Sequence, residues 1–263
     1  MSTTPARFSP ERPQPGRSGE KGALIGRVHS WDMSTGVDGP GTRFVLFLSG
    51  CPLRCQYCQN PDTWHMRDGT PTTVDQVMDD IENSAAFLRA SGGGVTISGG
   101  EPLLQHAFTA EILHRCEELG LHTALDTSGY LGAAADDELL ADTDLVLLDI
   151  KSFDIRVYEQ LTGRRLAPTL SFAGRLDALG IRIWIRYVLV PGWTDDPTAV
   201  EGLATFIAGL GNVERVDVLP FHKLGASKYE ALGLPFPLRD TPTPDTALVD
   251  RVREQFRAHG LTA

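Results

Sequence analysis

Three cysteines lie within eight residues of one another in the segment GCPLRCQYCQN: Cys51, Cys55 and Cys58, in a C-x3-C-x2-C spacing. Thiolates spaced in this way can converge on one small inorganic core when the chain turns back on itself. Structural zinc sites and electron-carrying cubane clusters use four protein ligands, so a trio leaves one position unfilled. The sequence therefore predicts a metal centre whose fourth ligand is either a distant residue or a small chelating molecule.

Two other interpretations of the cysteines remain open on spacing alone. His65 follows Cys58 by seven residues, so a structural zinc site of the Cys3His type is conceivable. Cys55 and Cys58 also form C-x-x-C, although the surrounding pattern lacks the start of a thioredoxin-like fold. The fourth cysteine, Cys116, lies in the amphipathic segment AEILHRCEELG, which predicts a small buried side chain in a helix.

The composition is that of an ordinary globular protein, with 263 residues, 41% hydrophobic and 22% charged. A formal net charge of -10 disfavours nucleic-acid binding that relies on overall positive charge. No apolar run approaches the roughly 20 residues of a membrane span, and the N-terminus lacks the apolar core of a signal peptide. We therefore expect a cytoplasmic protein with no nucleic-acid or membrane partner, in a compartment that keeps thiols reduced.

The pattern along the chain predicts an α/β domain. Residues 1–22 are rich in Pro, Ser, Gly and charge, which predicts a disordered tail, and residues 23–263 are expected to form a single domain. Six apolar strands alternate with helical patterns, as in a parallel sheet that forms an open doubly wound structure or an incomplete barrel. The strands are TRFVLFLSG, VTISG, HTALDTS, DLVLLDIK, IRIWIRYVLV and VERVDVLP, and the helices are expected near 73–90, 104–119, 134–141, 168–179, 196–208 and 244–258. The Pro-rich stretch after the last strand is predicted to be an irregular loop.

Unusual polar residues and glycines follow the predicted strands at their carboxyl ends, the edge where parallel α/β folds bind ligands. Arg186 lies inside an apolar strand, so its charge requires an anionic partner, and a structural ion pair would satisfy it. The residues at the strand ends are Cys51, Gly99, Gly100, Glu101, Asp126, Asp149, Lys151 and His222.

The cysteine motif, with Tyr57 directly before the last cysteine, resembles the signature of the radical S-adenosylmethionine (SAM) superfamily. Further segments are similar to the pyruvate formate-lyase activating enzymes within it, in order from about Gly26 to Tyr229: VDGPGTRFVLFLSGC, YCQNPDTW, SGGGVTISGGEPLLQ, LDTSGY, LVLLDIK, WIRYVLVPGWTDD and LPFHKLGASKYE. The resemblance implies a partial (β/α)6 TIM-like barrel of the radical SAM type that spans the single domain.

The resemblance also implies an activity, that of an oxidoreductase. It implies a [4Fe-4S] cluster on Cys51, Cys55 and Cys58, with SAM chelating the fourth iron through its amino and carboxylate groups. Reduced by flavodoxin or ferredoxin, such an enzyme cleaves SAM and abstracts hydrogen from a glycine of pyruvate formate-lyase, which installs a glycyl radical. Two alternatives remain: an activator of another glycyl radical enzyme, and a non-catalytic, zinc-stabilised binding protein. Only Cys116 is left over, so no second cubane can be ligated fully by cysteine.

Residue roles carried over from the resemblance are expectations for this chain. Gln59 departs from the pattern, because many relatives carry His there. Asp38 is expected near the protein substrate, although a turn at Asp-Gly-Pro-Gly explains this residue equally well. The expected cofactor-binding residues are Tyr57, Cys58, Gln59, Gly99, Gly100, Glu101, Asp149, Ile150, Lys151, Arg186 and His222. A monovalent cation is expected between Asp126, Thr127, Leu147 and Asp149, since hard oxygen ligands suit such an ion.

Overall fold

A mixed sheet of eight strands organises the protein, and the computed structural model describes residues 24–263. The predicted tail, residues 1–22, lies outside the described residues. The strands follow one another across the sheet in the order β3-β1-β2-β4-β5-β6-β7-β8. Their bounds are β1 Ile25–Thr35, β2 Thr42–Leu48, β3 Thr70–Thr73, β4 Gly94–Gly99, β5 His122–Thr127, β6 Leu145–Asp149, β7 Arg182–Leu189 and β8 Val213–Pro220.

The six predicted strands are β2 and β4 to β8, and each pairs with its neighbour in parallel. The linear strand order leaves β3 and β8 at opposite edges, so the sheet is open, which agrees with the predicted partial (β/α)6 barrel. Because side chains alternate across a strand, β6 contributes to two layers. Val146 and Leu148 pack under the helices, whereas Leu145 and Leu147 pack with Trp184 on the other face.

Helices cover the outer face of the sheet, and six of them match predicted helical patterns. The first helix begins at a capping box, in which Thr73 accepts from the Gln76 amide and the Gln76 side chain accepts from the Thr73 amide. The bounds are α1 Val74–Ala90, α2 His106–Glu118, α3 Asp137–Ala141, α4 Ile155–Thr162, α5 Ala167–Leu179, α6 Pro197–Ala208, α7 Ala226–Ala231 and α8 Thr246–Ala258. Among the described residues, no helix combines the length and apolar character that a membrane crossing requires.

Four elements depart from the sequence prediction. Strands β1 and β3 add an antiparallel edge beside β2, and neither was predicted, because β1 mixes polar and apolar residues without a clear period. Helix α4 was not predicted because it has only eight residues. The prediction of an irregular loop after β8 is wrong for Ala226–Ala231, which forms α7 and buries Tyr229.

Candidate functional site

A cavity of about 380 Å³ opens at the carboxyl edge of the parallel strands. It brings together the three cysteines and most of the residues expected at the cofactor. Glu101, Ile150 and Leu147 do not line it: Ile150 and Leu147 are fully buried in the core, and Glu101 is 1% exposed. The expected residues that do line it are Cys51, Cys55, Tyr57, Cys58, Gln59, Gly99, Gly100, Asp126, Thr127, Asp149, Lys151, Arg186 and His222.

The cysteine loop is held in place by backbone hydrogen bonds to two other segments. The Cys51 amide donates to the Trp64 carbonyl at 3.1 Å. The Arg54 amide donates to the Thr162 carbonyl at 2.8 Å, and the Gln56 amide donates to Leu161 at 2.9 Å. Both acceptors belong to the last turn of α4, whose carbonyls have no partner within the helix. A helix that the sequence did not reveal therefore anchors the cysteines.

Gly100 allows the cysteine loop to approach the end of β4. The Gly100 amide donates to the Leu48 carbonyl at 2.7 Å, and the Glu101 amide donates to Gly50 at 2.8 Å. A Cβ on Gly100 would lie 2.3 Å from the Gly50 carbonyl oxygen, a distance that real Cβ atoms do not show. Glycine is thus required here by backbone packed on backbone, and Gly100 also faces the cavity.

The three thiols lie in a desolvated environment. Burial is the largest influence on each of them, and it raises the pKa of Cys51 and Cys58 and raises that of Cys55 to about 12. For Cys58, the Asn60 backbone amide and the Trp64 indole act in the opposite direction by hydrogen bonding. Without iron the thiols therefore stay protonated at neutral pH, and iron binding must displace their protons.

Lys151 and Asp149 form a buried ion pair at the end of β6. The Lys151 Nζ lies 2.7 Å from the Asp149 Oδ2, and the side chains are 12% and 19% exposed. Burial is the largest single influence and disfavours the charged lysine, but Asp149, Tyr57 and Cys55 together outweigh it, and the pKa of Lys151 rises well above its ordinary value. The Nζ also lies 5.9 Å from the centroid of the Tyr57 ring, within cation–π range. Lys151 therefore links β6 to the cysteine loop as a permanent cation.

Arg186 has the anionic partner that its burial requires. Its Nη1 lies 3.2 Å from the Asp126 Oδ2 and 3.7 Å from the Asp38 Oδ1. The Ser98 hydroxyl donates to the same Asp126 oxygen at 2.6 Å. The charge of Asp126 raises the pKa of Arg186. Burial raises the pKa of Asp126, and the charge of Asp149 adds to this rise, although the charge of Arg186 lowers the same pKa. Ser98 was not predicted, although it directly precedes the two glycines.

Glu101 fastens the end of β4 to the end of β5. Its carboxylate accepts from the Thr127 hydroxyl at 2.6 Å, the Ser128 hydroxyl at 2.5 Å and the Ser128 amide at 3.0 Å. It also accepts from the Leu103 amide at 3.2 Å. Burial raises the pKa of Glu101 despite these donors. Glu101 thus acts on the cavity by positioning Thr127 and Ser128, which line it.

Gln59 joins the cysteine loop to the loop after β8. Its Nε2 donates to the His222 carbonyl at 3.1 Å, and its Oε1 accepts from the Gly225 amide at 2.7 Å. The Gln59 side chain, at a position where many relatives carry His, therefore makes these hydrogen bonds within the protein. His222 is exposed and borders the cavity with Phe221. Phe221 and Asn60 are further lining residues that the sequence did not single out, because apolar and amide side chains carry no specific signal.

The donor set fits an iron–sulfur cluster with an open iron. Three half-buried thiols line the cavity, and no further thiol of the described residues lines it. The hydroxyls of Tyr57 and Tyr229 are buried without a partner in residues 24–263. Charge on Cys58 and Cys55 adds to burial in raising the pKa of Tyr229, so this hydroxyl lies close to the thiols.

His65 is exposed and does not line the cavity, and no three His, Cys, Asp or Glu side chains of the described chain are placed to share one metal ion.

Comparison with known proteins agrees with this donor set. The model of the radical SAM superfamily matches residues 45–200. The pyruvate formate-lyase 1-activating enzyme of Escherichia coli K12 is 41% identical over 240 residues, which cover 90% of this chain and 98% of the relative. The chain belongs to the radical SAM superfamily, among the pyruvate formate-lyase activating enzymes. The activating enzyme of Clostridium pasteurianum is 45% identical and covers 84% of this chain.

Solved structures of radical SAM proteins share the fold. A domain of a pyruvate-formate lyase-activating enzyme from Bacteroides vulgatus superposes with a TM-score of 0.55 at 28% identity, over 65% of this chain and 97% of that domain. A radical SAM methyltransferase from Sphaerobacter thermophilus gives a TM-score of 0.58 at 18% identity, over 88% of this chain and 67% of that protein, a likeness of fold alone. The family uses a [4Fe-4S] cluster and SAM, which confirms the prediction of these two cofactors.

Proposed function

We propose that this protein is the formate C-acetyltransferase-activating enzyme of its cell, an oxidoreductase that installs a glycyl radical on pyruvate formate-lyase. The observation that carries the proposal is a cavity lined by three thiols and by two buried ion pairs, in a chain 41% to 45% identical to such activators. When bound, the cluster supplies the electron that cleaves SAM into methionine and the 5'-deoxyadenosyl radical that abstracts a glycine hydrogen.

The chain's own residues bind and orient the cofactors in this proposal. Cys51, Cys55 and Cys58 hold the cluster, and the end of β4 at Gly99 and Gly100 offers backbone to the methionine part of SAM. The ion pairs of Lys151 and Arg186 keep the charged wall in one arrangement, which favours a single pose of the cofactor. The remaining residues proposed to contact it are Tyr57, Gln59, Glu101, Asp149, Ile150 and His222, with Glu101 and Ile150 limited to backbone or indirect contact by their burial.

We also propose a monovalent cation beside SAM, held by Asp126, Thr127, Asp149 and the Leu147 carbonyl. Two observations support this ion. Asp126 of β5 and Leu147 of β6 are paired residues of neighbouring strands. The charge of Asp149, in addition to burial, raises the pKa of Asp126, as expected for two carboxylates close together. A third carboxylate, that of SAM, would add to this repulsion.

The proposed compartment and electron source follow from thiol chemistry. Free thiols that must bind iron require a reducing environment, so we place the protein in the cytoplasm. Flavodoxin or ferredoxin is the proposed donor, because either one delivers single electrons.

An anaerobic assay tests the function. Purified protein should contain iron and sulfide, and adding SAM with dithionite should release 5'-deoxyadenosine. Adding pyruvate formate-lyase should then give a glycyl radical signal by electron paramagnetic resonance. The Cys55→Ala variant is the matched control, which should give neither product. One zinc per chain and no 5'-deoxyadenosine would favour the zinc-stabilised binding protein, and cleavage of SAM without a radical on pyruvate formate-lyase would indicate another glycyl radical enzyme as the substrate.

A further inference from the structure

The outer face of the cysteine loop carries an exposed arginine. Along this loop, Cys51, Leu53, Cys55 and Tyr57 line the cavity, whereas Arg54 does not and is exposed. The Arg54 Nη1 donates to the Cys51 carbonyl at 2.6 Å and to the Leu53 carbonyl at 2.7 Å. Its guanidinium is thereby fixed to the backbone of the loop that holds the cysteines, outside the lining of the cavity.

Two more exposed arginines lie where this loop meets α4. The Arg54 amide donates to Thr162, the last residue of α4, and Arg164 and Arg165 follow directly after Gly163. Arg164 and Arg165 border a shallow depression of about 370 Å³, which Tyr130 and Glu159 also line. The Arg164 guanidinium lies 6.0 Å from the centroid of the Tyr130 ring.

These three arginines, here termed the arginine patch, are not neutralised locally. Elsewhere arginines of this chain pair closely with carboxylates, as Arg175 does with Asp137 at 2.6 Å. Within residues 24–263, no carboxylate forms an ion pair with any member of the arginine patch, and Glu159 is the one acid that lines the depression. The patch is therefore a positive area on a chain whose formal net charge is -10.

We propose that the arginine patch, formed by Arg54, Arg164 and Arg165, docks the acidic one-electron carrier protein that reduces the cluster. The inference rests on the proposed function. The cavity has to admit SAM and the glycine of the protein substrate, so an electron carrier needs a second approach, and the outer face of the cysteine loop provides it. A positive patch on an acidic protein selects a partner with a negative surface, because the remaining surface repels it.

Charge reversal tests the docking surface. The variant Arg164→Glu/Arg165→Glu changes residues outside both the cysteine loop and the cavity. The control Arg253→Glu/Arg257→Glu makes the same change in charge on α8, where both arginines are in long, exposed ion pairs. Cluster reduction by pre-reduced flavodoxin, and in a second arm by pre-reduced ferredoxin, is followed by stopped-flow absorbance at low ionic strength.

We expect the patch variant to lose roughly tenfold or more in the second-order rate constant with at least one carrier, and to show a flatter dependence on salt. The control should stay within about twofold of the unmutated protein. SAM cleavage driven by dithionite should be the same in all three proteins, which shows that the cluster and the cavity are intact. If the double variant folds poorly, Arg165→Glu alone gives the same comparison, because no hydrogen bond of its side chain is described within residues 24–263.

Equal loss in the patch variant and the control, or no loss in either, overturns the docking proposal. Failure of the unmutated, iron-loaded protein to cleave SAM with dithionite overturns the proposed function instead, and with it the need for a carrier. The two failures are therefore distinguishable.

Discussion

At the scale of single residues, the charges of the cavity explain how it can receive SAM. The carboxylates of Asp38, Asp126 and Asp149 outnumber the two cations, Arg186 and Lys151, that pair with them. Before any cation binds, these ion pairs leave one carboxylate charge in excess around the cavity, while SAM with its sulfonium, ammonium and carboxylate groups carries one positive charge. The pairing thus favours the intact cofactor over the uncharged sulfur of its product.

We expect SAM affinity and turnover to depend on the alkali cation at constant ionic strength, because an ion between Asp126 and Asp149 would relieve their repulsion of the SAM carboxylate. Asp126→Ala should weaken both the affinity and the cation dependence while the iron content stays unchanged. Isothermal titration and 5'-deoxyadenosine release in sodium, potassium and a bulky organic cation measure this. Identical values in all three would show that Arg186 and Lys151 alone neutralise the two carboxylates.

The cysteine assignments give a second prediction at this scale. Cys51→Ala, Cys55→Ala and Cys58→Ala should each lose the intact cluster and the activity, because no other thiol of the described chain lines the cavity. Cys116→Ala should keep both, and should lose roughly 1 kcal/mol of stability, because Cys116 is fully buried in the core. Iron analysis and denaturant unfolding check this. Full activity in any of the first three variants would refute the ligand assignment.

Glu101→Ala is expected to lower the free energy of unfolding by roughly 3 kcal/mol, because it leaves the buried donors of Thr127 and Ser128 unpaired. Urea denaturation of the metal-free protein measures the loss. A change below about 0.5 kcal/mol, the usual range at exposed positions, would show that water replaces the carboxylate.

The raised pKa of Glu101 also gives a pH dependence. The folded state holds this proton over a pH range in which the unfolded state has released it, so the contribution is present below the ordinary Glu pKa and is lost as pH rises through the folded value. Relative to Glu101→Gln, which does not titrate, the unmutated protein should therefore lose stability from about pH 4 upwards. Unfolding curves of both proteins at several pH values test the sign. A difference that does not change with pH would contradict it.

At the scale of elements, the predictable part of the fold consists of the strands and helices with a clear hydrophobic pattern. Parallel strands such as β4 and β6 are buried on both faces, so they read as continuous apolar runs and were found. Helix α4 carries too few residues for its period to stand out, yet its last carbonyls hold the cysteine loop. The site residues were predictable by type and by strand end, whereas the pairing of Ser98 with Asp126 and of Gln59 with Gly225 depends on contacts distant in sequence.

The contact between the cysteine loop and β4 predicts a strict requirement for glycine. Gly100→Ala should reduce iron loading and stability, because the added Cβ would meet the Gly50 carbonyl and push the loop away. Gly174→Ala, in the middle of α5 with open space around it, is the matched control and should gain about 0.5–1 kcal/mol from helix propensity. Iron content and thermal melts compare the two. Normal iron loading in Gly100→Ala would show that the loop can move without loss.

At the scale of the whole molecule, the cavity and the arginine patch are two separate sites with different lining residues. The carboxyl edge of the parallel strands forms the cavity, whereas the arginine patch lies on the cysteine loop and the segment after α4, so the docking proposal gives cofactor and electron carrier separate sites. Strands β7 and β8 complete the cavity lining through Arg186 and Val188 of β7 and Leu219 and Pro220 of β8, and Phe221 follows directly. The match to the superfamily ends at residue 200. The match to the activating enzymes covers 90% of the chain, and it therefore also includes His222 and α7.

The last prediction concerns the first twenty residues. Their composition, rich in Pro, Ser and Gly with no apolar period, provides too little apolar surface to offset the entropy of ordering them. Deleting residues 1–20 should therefore leave the melting temperature, the iron content and the dithionite-driven cleavage of SAM unchanged. A lower melting temperature would show that the segment packs on the domain. Slower formation of the glycyl radical on pyruvate formate-lyase, with SAM cleavage unchanged, would instead show that the segment contributes to recognition of the protein substrate.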